Sequence, residues 1–173
     1  MNTRTINVTV NETPQQREVS VSTALRDFLR DDLDLIGAKA ACQDGMCGNC
    51  TVLVDQRSVK SCLVLAAETH GAEVTTIEGL GDRTALHPLQ RAFAENFAAQ
   101  CGFCTAGMIL TSVELLERNP SPTLQEVREG LVGNICRCTA YVSIAEAVLQ
   151  AAAEMRGETP GAADATTSAG GER

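Results

Sequence analysis

Tryptophan is absent from this 173-residue chain, and aromatic bulk is limited to four phenylalanines and one tyrosine. The core must therefore be closed by aliphatic side chains and by alanine. Of the 23 alanines, 16 lie from Ala85 onward, which predicts closely packed helices in the second half. Positive charge is also short: 14 Lys and Arg face 22 Asp and Glu, a formal charge of -8. That balance argues against a surface built to hold nucleic acid or an anionic membrane. No apolar run approaches the roughly 18 residues that cross a bilayer, so no membrane span is expected. The first residues alternate instead of forming the charged-then-apolar profile of a secretory leader. The expected location is the cytoplasm. Missing too are a phosphate loop, a dinucleotide glycine motif and a base-nucleophile pair, so chemistry on an organic substrate is expected to belong to another chain. At 44% hydrophobic and 21% charged, the chain can still bury one generous core or two small ones.

What the sequence has in unusual number is cysteine, with eight. Reducing compartments keep thiols reduced, so metal binding is a better expectation than disulfides. Cys42, Cys47 and Cys50 are spaced C-x4-C-x2-C, and Cys62 follows twelve residues later. This is the plant-type arrangement for a 2Fe-2S cluster, in which one loop folds around the cluster and a neighbouring segment brings the fourth thiolate. Gly45 and Gly48 let that loop adopt positive φ and aim N–H groups at the sulfurs. The second set is Cys101 and Cys104 with Cys136 and Cys138. Its spacing is less specific, and structural zinc also takes four thiolates. An all-ferric cluster with four thiolates is nonetheless an anion, and helix N-termini placed at the second set would favour it.

The elements read as follows. Ile6, Val8 and Val10 alternate with Thr5, Asn7 and Thr9, as in a strand with one buried face, and Thr13-Pro14 reads as the turn of a hairpin. Leu25, Phe28 and Leu29 predict a short helix capped by Ser22 or Thr23 and ending before Gly37. Strands are expected over 51–54, around Val59 and over 74–77. Beyond about residue 80 the period lengthens. Pro88 opens a helix with Leu89, Phe93 and Phe97 on one face. A second helix starts near Cys104 and stops at Asn119-Pro120. Thr123 and Glu126 form a capping box for a third, which breaks by Gly130 or Gly133. Ile144, Ala147, Val148, Ala151 and Met155 mark a fourth. The expected class is α+β, with an N-terminal domain over 1–78, a helical domain over 79–156 and a flexible tail over 157–173.

CQDGMCGNC with Cys62, QCGFCTAGM (Gln100 to Met108) and GNICRCTAY (Gly133 to Tyr141), in that order, resemble the small iron-sulfur subunit of the molybdenum hydroxylases, the xanthine oxidase family, in its separate-subunit bacterial form. The resemblance covers about residues 3 to 156. It implies a β-grasp ferredoxin domain followed by a four-helix domain, each with one 2Fe-2S cluster. It further implies that Cys101, Cys104, Cys136 and Cys138 hold a cluster beside a molybdopterin, in the cytosine dinucleotide form, on a large subunit. Cys42, Cys47, Cys50 and Cys62 would hold a cluster facing FAD on a medium subunit. Electrons would pass from the molybdopterin through both clusters to FAD, within a dimer of heterotrimers oxidising an aldehyde, an N-heterocycle or carbon monoxide. Gln100 matches the glutamine that hydrogen-bonds the pterin, which is favoured over its other reading, an amide capping the nearby helix. Ala106, Ala140 and Ala41 replace the family's usual Pro, Gly and Gly. Met46, Phe103 and Met108 are expected to exclude water from the clusters. Arg137 either offsets cluster charge or is solvated, and His70 and His87 are given no ligand role. A free two-cluster ferredoxin and a zinc-stabilised interaction module are the competing readings.

Overall fold

The structure, a computed structural model, describes residues 2–81 and 84–158. Strands β1 (Thr3–Val10) and β2 (Thr13–Ser20) pair antiparallel, and Ile6, Val8 and Val10 all face the core. The turn falls at Asn11 and Glu12, with φ of 48° and 63°, and not at Thr13-Pro14. Two consecutive positive-φ residues match the twist of paired strands. Pro14 lies inside β2, where its missing N–H is tolerated because β2 is a sheet edge.

Helix α1 (Leu25–Asp27) continues as a wider π turn over Phe28–Asp32. Its N-cap is Ala24, with no side-chain cap, in place of Ser22 or Thr23. Backbone partners from a distant segment substitute: the Leu25 N–H donates to Val64 O at 2.7 Å and that of Arg26 to Ser61 O at 3.1 Å. Leu25, Phe28 and Leu29 pack with the inner face of the sheet as one core. Strands β3 (Thr51–Val54), β4 (Arg57–Lys60) and β5 (Glu73–Thr75) complete the sheet in the order β2-β1-β5-β3-β4, with β5 parallel to β1. β5 stops two residues short of the expected Ile77. The Asn11 side chain holds Thr76 by two hydrogen bonds, of 2.9 and 3.0 Å, and Ile77–Gly79 turns into a 3-10 helix.

The second half holds α2 (Pro88–Glu95), α3 (Thr105–Arg118), α4 (Leu124–Gly130) and α5 (Tyr141–Met155). Pro88 is the first residue of α2, and the Thr123–Glu126 capping box opens α4. α2 ends before Phe97, which takes a φ of 51° and is 85% exposed, so it is no part of the buried face carrying Leu89 and Phe93. The helices enclose a second core, and Leu53 of β3 belongs to it. Sheet and helices therefore share a packed seam where α3 lies against β3. The architecture is α+β, a β-grasp unit followed by four helices. Among the described residues no helix is long and apolar enough to cross a membrane. The expected tail lies outside the described residues, except for Gly157 and Glu158.

Candidate metal centres

The loop between the π turn and β3 carries the first three cysteines. Gln43, Gly45 and Gly48 have φ of 71°, 80° and 68°, and these left-handed residues curl the loop back on itself. The Cys47 N–H donates to Cys42 Sγ at 3.4 Å. That donor is the largest cause holding the Cys42 thiol below its ordinary range, while burial holds Cys47 above. Cys62 comes from the segment after β4. Burial, then the adjacent Cys50 thiol, push it up to about 11, against a smaller lowering by the Gly45 N–H. The first quartet is thus two couples, Cys42 with Cys47 and Cys50 with Cys62.

The second quartet repeats the plan across a longer span. Cys104 is the N-cap of α3, Cys101 lies in the preceding turn, and Cys136 and Cys138 sit between α4 and α5. Cys138 Sγ donates to Cys101 Sγ at 3.4 Å. The Phe103 N–H, then this thiol, hold Cys101 low. Cys104 is pushed up to about 12 by burial and then by Cys136. Burial also raises Cys136, but the Ala140 N–H, the Cys104 thiol and further loop N–H groups outweigh it and leave it low. The N-termini of α3 and α5 both open here, as the electrostatics of an anionic centre require. Among the described residues, no three His, Cys, Asp or Glu side chains are gathered for a single metal ion.

Two further features were not anticipated. The Tyr141 hydroxyl accepts from the Cys136 N–H at 2.9 Å, so the chain's one tyrosine fixes the Cys136 loop. The two cysteine loops also touch: the Ile135 N–H donates to Cys47 O at 2.8 Å, and Asn134 Nδ2 donates to Gly48 O at 3.0 Å. A Cβ on Gly48 would lie 2.4 Å from Gly133 O. Gly48 is therefore needed for this close approach as well as for its turn. A sequence signal existed for Asn134, a polar residue two before Cys136, but its partner is 86 residues away.

The other expected positions are distributed as follows. Gln100 is exposed and makes no side-chain hydrogen bond among the described residues, and the α3 N-terminus has no side-chain cap. Met108 is fully buried, whereas Met46 and Phe103 are 66% and 43% exposed and exclude no water in this chain alone. Leu63, Phe97, Tyr141 and Val142 are also exposed. Arg137 is exposed and forms no ion pair among the described residues. His70 accepts from the Asn7 N–H, and His87 caps α2. Ala140, with φ of -76°, needs no glycine. Ala106 is buried in the first turn of α3, and Ala41 is exposed. Two buried oxygens, each on a residue next in sequence to a cysteine, have no hydrogen-bond partner among the described residues: Asn49 Oδ1 and Thr105 Oγ1.

Residues 8–77 match the 2Fe-2S iron-sulfur cluster binding domain, and residues 76–149 match a [2Fe-2S] binding domain. The nicotine 6-hydroxylase small subunit of Paenarthrobacter nicotinovorans is 51% identical, over 84% of this chain and 88% of its own length. The aldehyde oxidoreductase iron-sulfur-binding subunit of Escherichia coli is 45% identical, over 85% and 71%. Among solved structures, a chain of quinoline 2-oxidoreductase from Pseudomonas putida superposes with a TM-score of 0.85 at 42% identity, over 91% of this chain and 99% of that one. The aldehyde oxidoreductase of Desulfovibrio gigas superposes with a TM-score of 0.87 at 39% identity, over 91% of this chain and 18% of that longer one. Two 2Fe-2S domains in tandem, together with relatives this similar over most of both chains, place this protein in the family of small iron-sulfur subunits of the bacterial molybdenum hydroxylases.

Proposed function

We propose that this chain carries electrons between a molybdopterin, in its cytosine dinucleotide form, on a large subunit and FAD on a medium subunit, in a cytoplasmic dimer of heterotrimers. Cys42, Cys47, Cys50 and Cys62 are assigned as ligands of one 2Fe-2S cluster in a domain over 1–78. Cys101, Cys104, Cys136 and Cys138 are assigned to the other, in a domain over 79–156. Gln100 is assigned a hydrogen bond to the pterin. The relatives are named for nicotine, quinoline and aldehydes, which favours an N-heterocycle or an aldehyde as the substrate of the assembly.

The observation that carries this reading is the coupling of the thiols in twos. A two-iron centre gives each iron two thiolates, and each quartet offers two adjacent couples. The Cys47 N–H meets Cys42 Sγ, and Cys138 Sγ meets Cys101 Sγ, both at 3.4 Å. A metal ion bound at such a couple would hold both sulfurs as thiolates, because a coordinating thiol is deprotonated outright. Bound there, each cluster would take up and release one electron. The chain supplies the thiolates, the N–H donors that favour negative charge, and a buried wall that includes Met108. The exposed Phe97, Phe103, Tyr141 and Val142 near the second quartet, and Met46 and Leu63 near the first, suit apolar contacts with partner subunits better than a freely diffusing carrier.

The native complex is expected to hold about four irons per copy of this chain, with matching acid-labile sulfide and no stoichiometric zinc. In a Cys50→Ser variant that still assembles, stopped-flow without external acceptor should show near-normal first reduction of molybdenum by substrate and slowed reduction of FAD. Zinc at the second quartet, or flavin reduced at the unmodified rate with the first cluster shown to be absent, would overturn the assignment.

A further inference from the structure

Asn134 is 5% exposed and lies one residue before Ile135, whose N–H meets Cys47 O, and two before Cys136. Its amide has two partners on other elements. Nδ2 donates to Gly48 O, and Oδ1 accepts from the Thr111 hydroxyl on α3 at 3.0 Å. The space around it is closed by glycines. A Cβ on Gly107 would lie 2.3 Å from Gly48 O and 3.1 Å from Asn134 Nδ2, and one on Gly48 would lie 2.7 Å from Asn134 Nδ2. Three segments, the first cysteine loop, α3 and the second cysteine loop, therefore converge on one buried side chain. A buried amide donating and accepting in two directions permits one arrangement of its partners, because any slippage leaves a desolvated polar group unpaired.

We propose that Asn134 is the positioning residue that sets the separation and relative orientation of the two metal centres. The proposal rests on the two-cluster reading above. Cys47 and Cys136 are proposed ligands of different clusters. Their loops are joined by the Ile135–Cys47 backbone hydrogen bond, which Asn134 braces from the adjoining residue. With both clusters bound, the rate of electron passage between them would depend on a distance that this amide holds constant. Neither quartet contains Asn134, so its loss should alter the coupling between the centres and leave both assembled.

The test is EPR of the purified native complex carrying Asn134→Ala or Thr111→Val. The second change keeps the side-chain shape and removes only the hydroxyl that orients the amide. Iron and sulfide content, together with the two signals at partial reduction, report assembly. The magnetic splitting between the two reduced centres at full reduction reports their separation. Full iron, two signals and a diminished splitting are expected in both variants, more strongly for Asn134→Ala, together with slower electron exchange after a rapid reductant pulse. An unchanged splitting in both variants would overturn the proposal. Should Asn134→Ala lose iron, the splitting in Thr111→Val decides the question in the same way. A wild-type complex with fewer irons or a single signal would instead refute the two-cluster reading.

Discussion

Thr105 follows Cys104 directly, and its hydroxyl oxygen is buried without a hydrogen-bond partner among the described residues. A buried hydroxyl left unmade costs about 1–3 kcal/mol, so retaining one beside a thiol is informative. An anionic sulfur of the proposed second cluster is the acceptor that this chemistry calls for. A hydrogen bond donated to that sulfur would favour the more negative, reduced state. Thr105→Val should therefore lower the potential of that cluster by about 40 mV, which is about 1 kcal/mol expressed for one electron. Thr105→Ser should leave it nearly unchanged. An EPR-monitored redox titration reads both, and a valine variant with the wild-type potential would reduce the hydroxyl to a packing role. Tyr141 acts by a different route, since its oxygen accepts from the backbone of Cys136 and not from the side chain.

Helix α2 shows how one titratable side chain can govern an element. His87 Nδ1 accepts from the Leu89 N–H at 3.2 Å, while the His87 N–H donates to Gln90 Oε1 at 2.9 Å. The accepting nitrogen must be unprotonated. Burial first, then Arg91, hold the imidazole below its usual 6.5. Because the folded value is the lower one, protonation favours the unfolded chain. The stabilisation is complete above 6.5 and is lost as pH falls through the folded value. Thermal melts followed by circular dichroism should show wild type losing stability relative to His87→Asn as pH drops below 6.5. His87→Ala should cost about 1 kcal/mol near neutrality, as other lost N-caps do. A pH-independent difference between wild type and His87→Asn would remove the imidazole as the titrating group.

The molecule as a whole depends on the seam between its sheet and its helices. Glu114 on α3 accepts from the Ser58 N–H of β4 at 2.9 Å and from the Ser58 hydroxyl, with Arg118 3.5 Å away. Burial pushes the carboxyl up, but Ser58, Arg118 and Arg57 outweigh it and hold the group below its usual 4.5. A carboxylate lowered by folding stabilises the protein fully above 4.5, and that contribution is lost as pH falls through the folded value. Glu114→Ala should cost about 2 kcal/mol at neutral pH, the worth of hydrogen bonds to a charged group. The deficit should shrink in acid. Urea denaturation at both pH values checks this, and a deficit that persists in acid would assign the loss to packing. Asn134 lies at the same seam from the side of the cysteine loops, so the two contacts brace one junction.

Features written in a few adjacent residues are legible in the sequence itself. Pro88 at a helix start, the Thr123–Glu126 box and the stop at Asn119 need only local backbone geometry and the nearest side chains, and all three stand in the structure. Cysteine spacing likewise marked eight candidate donors in two groups, and with their flanking residues this identified the family. Other outcomes required residues far apart to meet. The cap of α1 is replaced by backbone partners near Val64, so its local Ser and Thr had no bearing on where the helix begins. Phe97 kept the four-residue period but lost the helix, because the chain must leave α2 to reach Cys101. Sequence order also could not say that Cys101 adjoins Cys138, 37 residues on, or that Asn134 would close on Gly48. Composition and short-range pattern determine which elements form and which atoms can donate. The tertiary structure alone decides which donors meet, because each such contact depends on every element between them being packed in place.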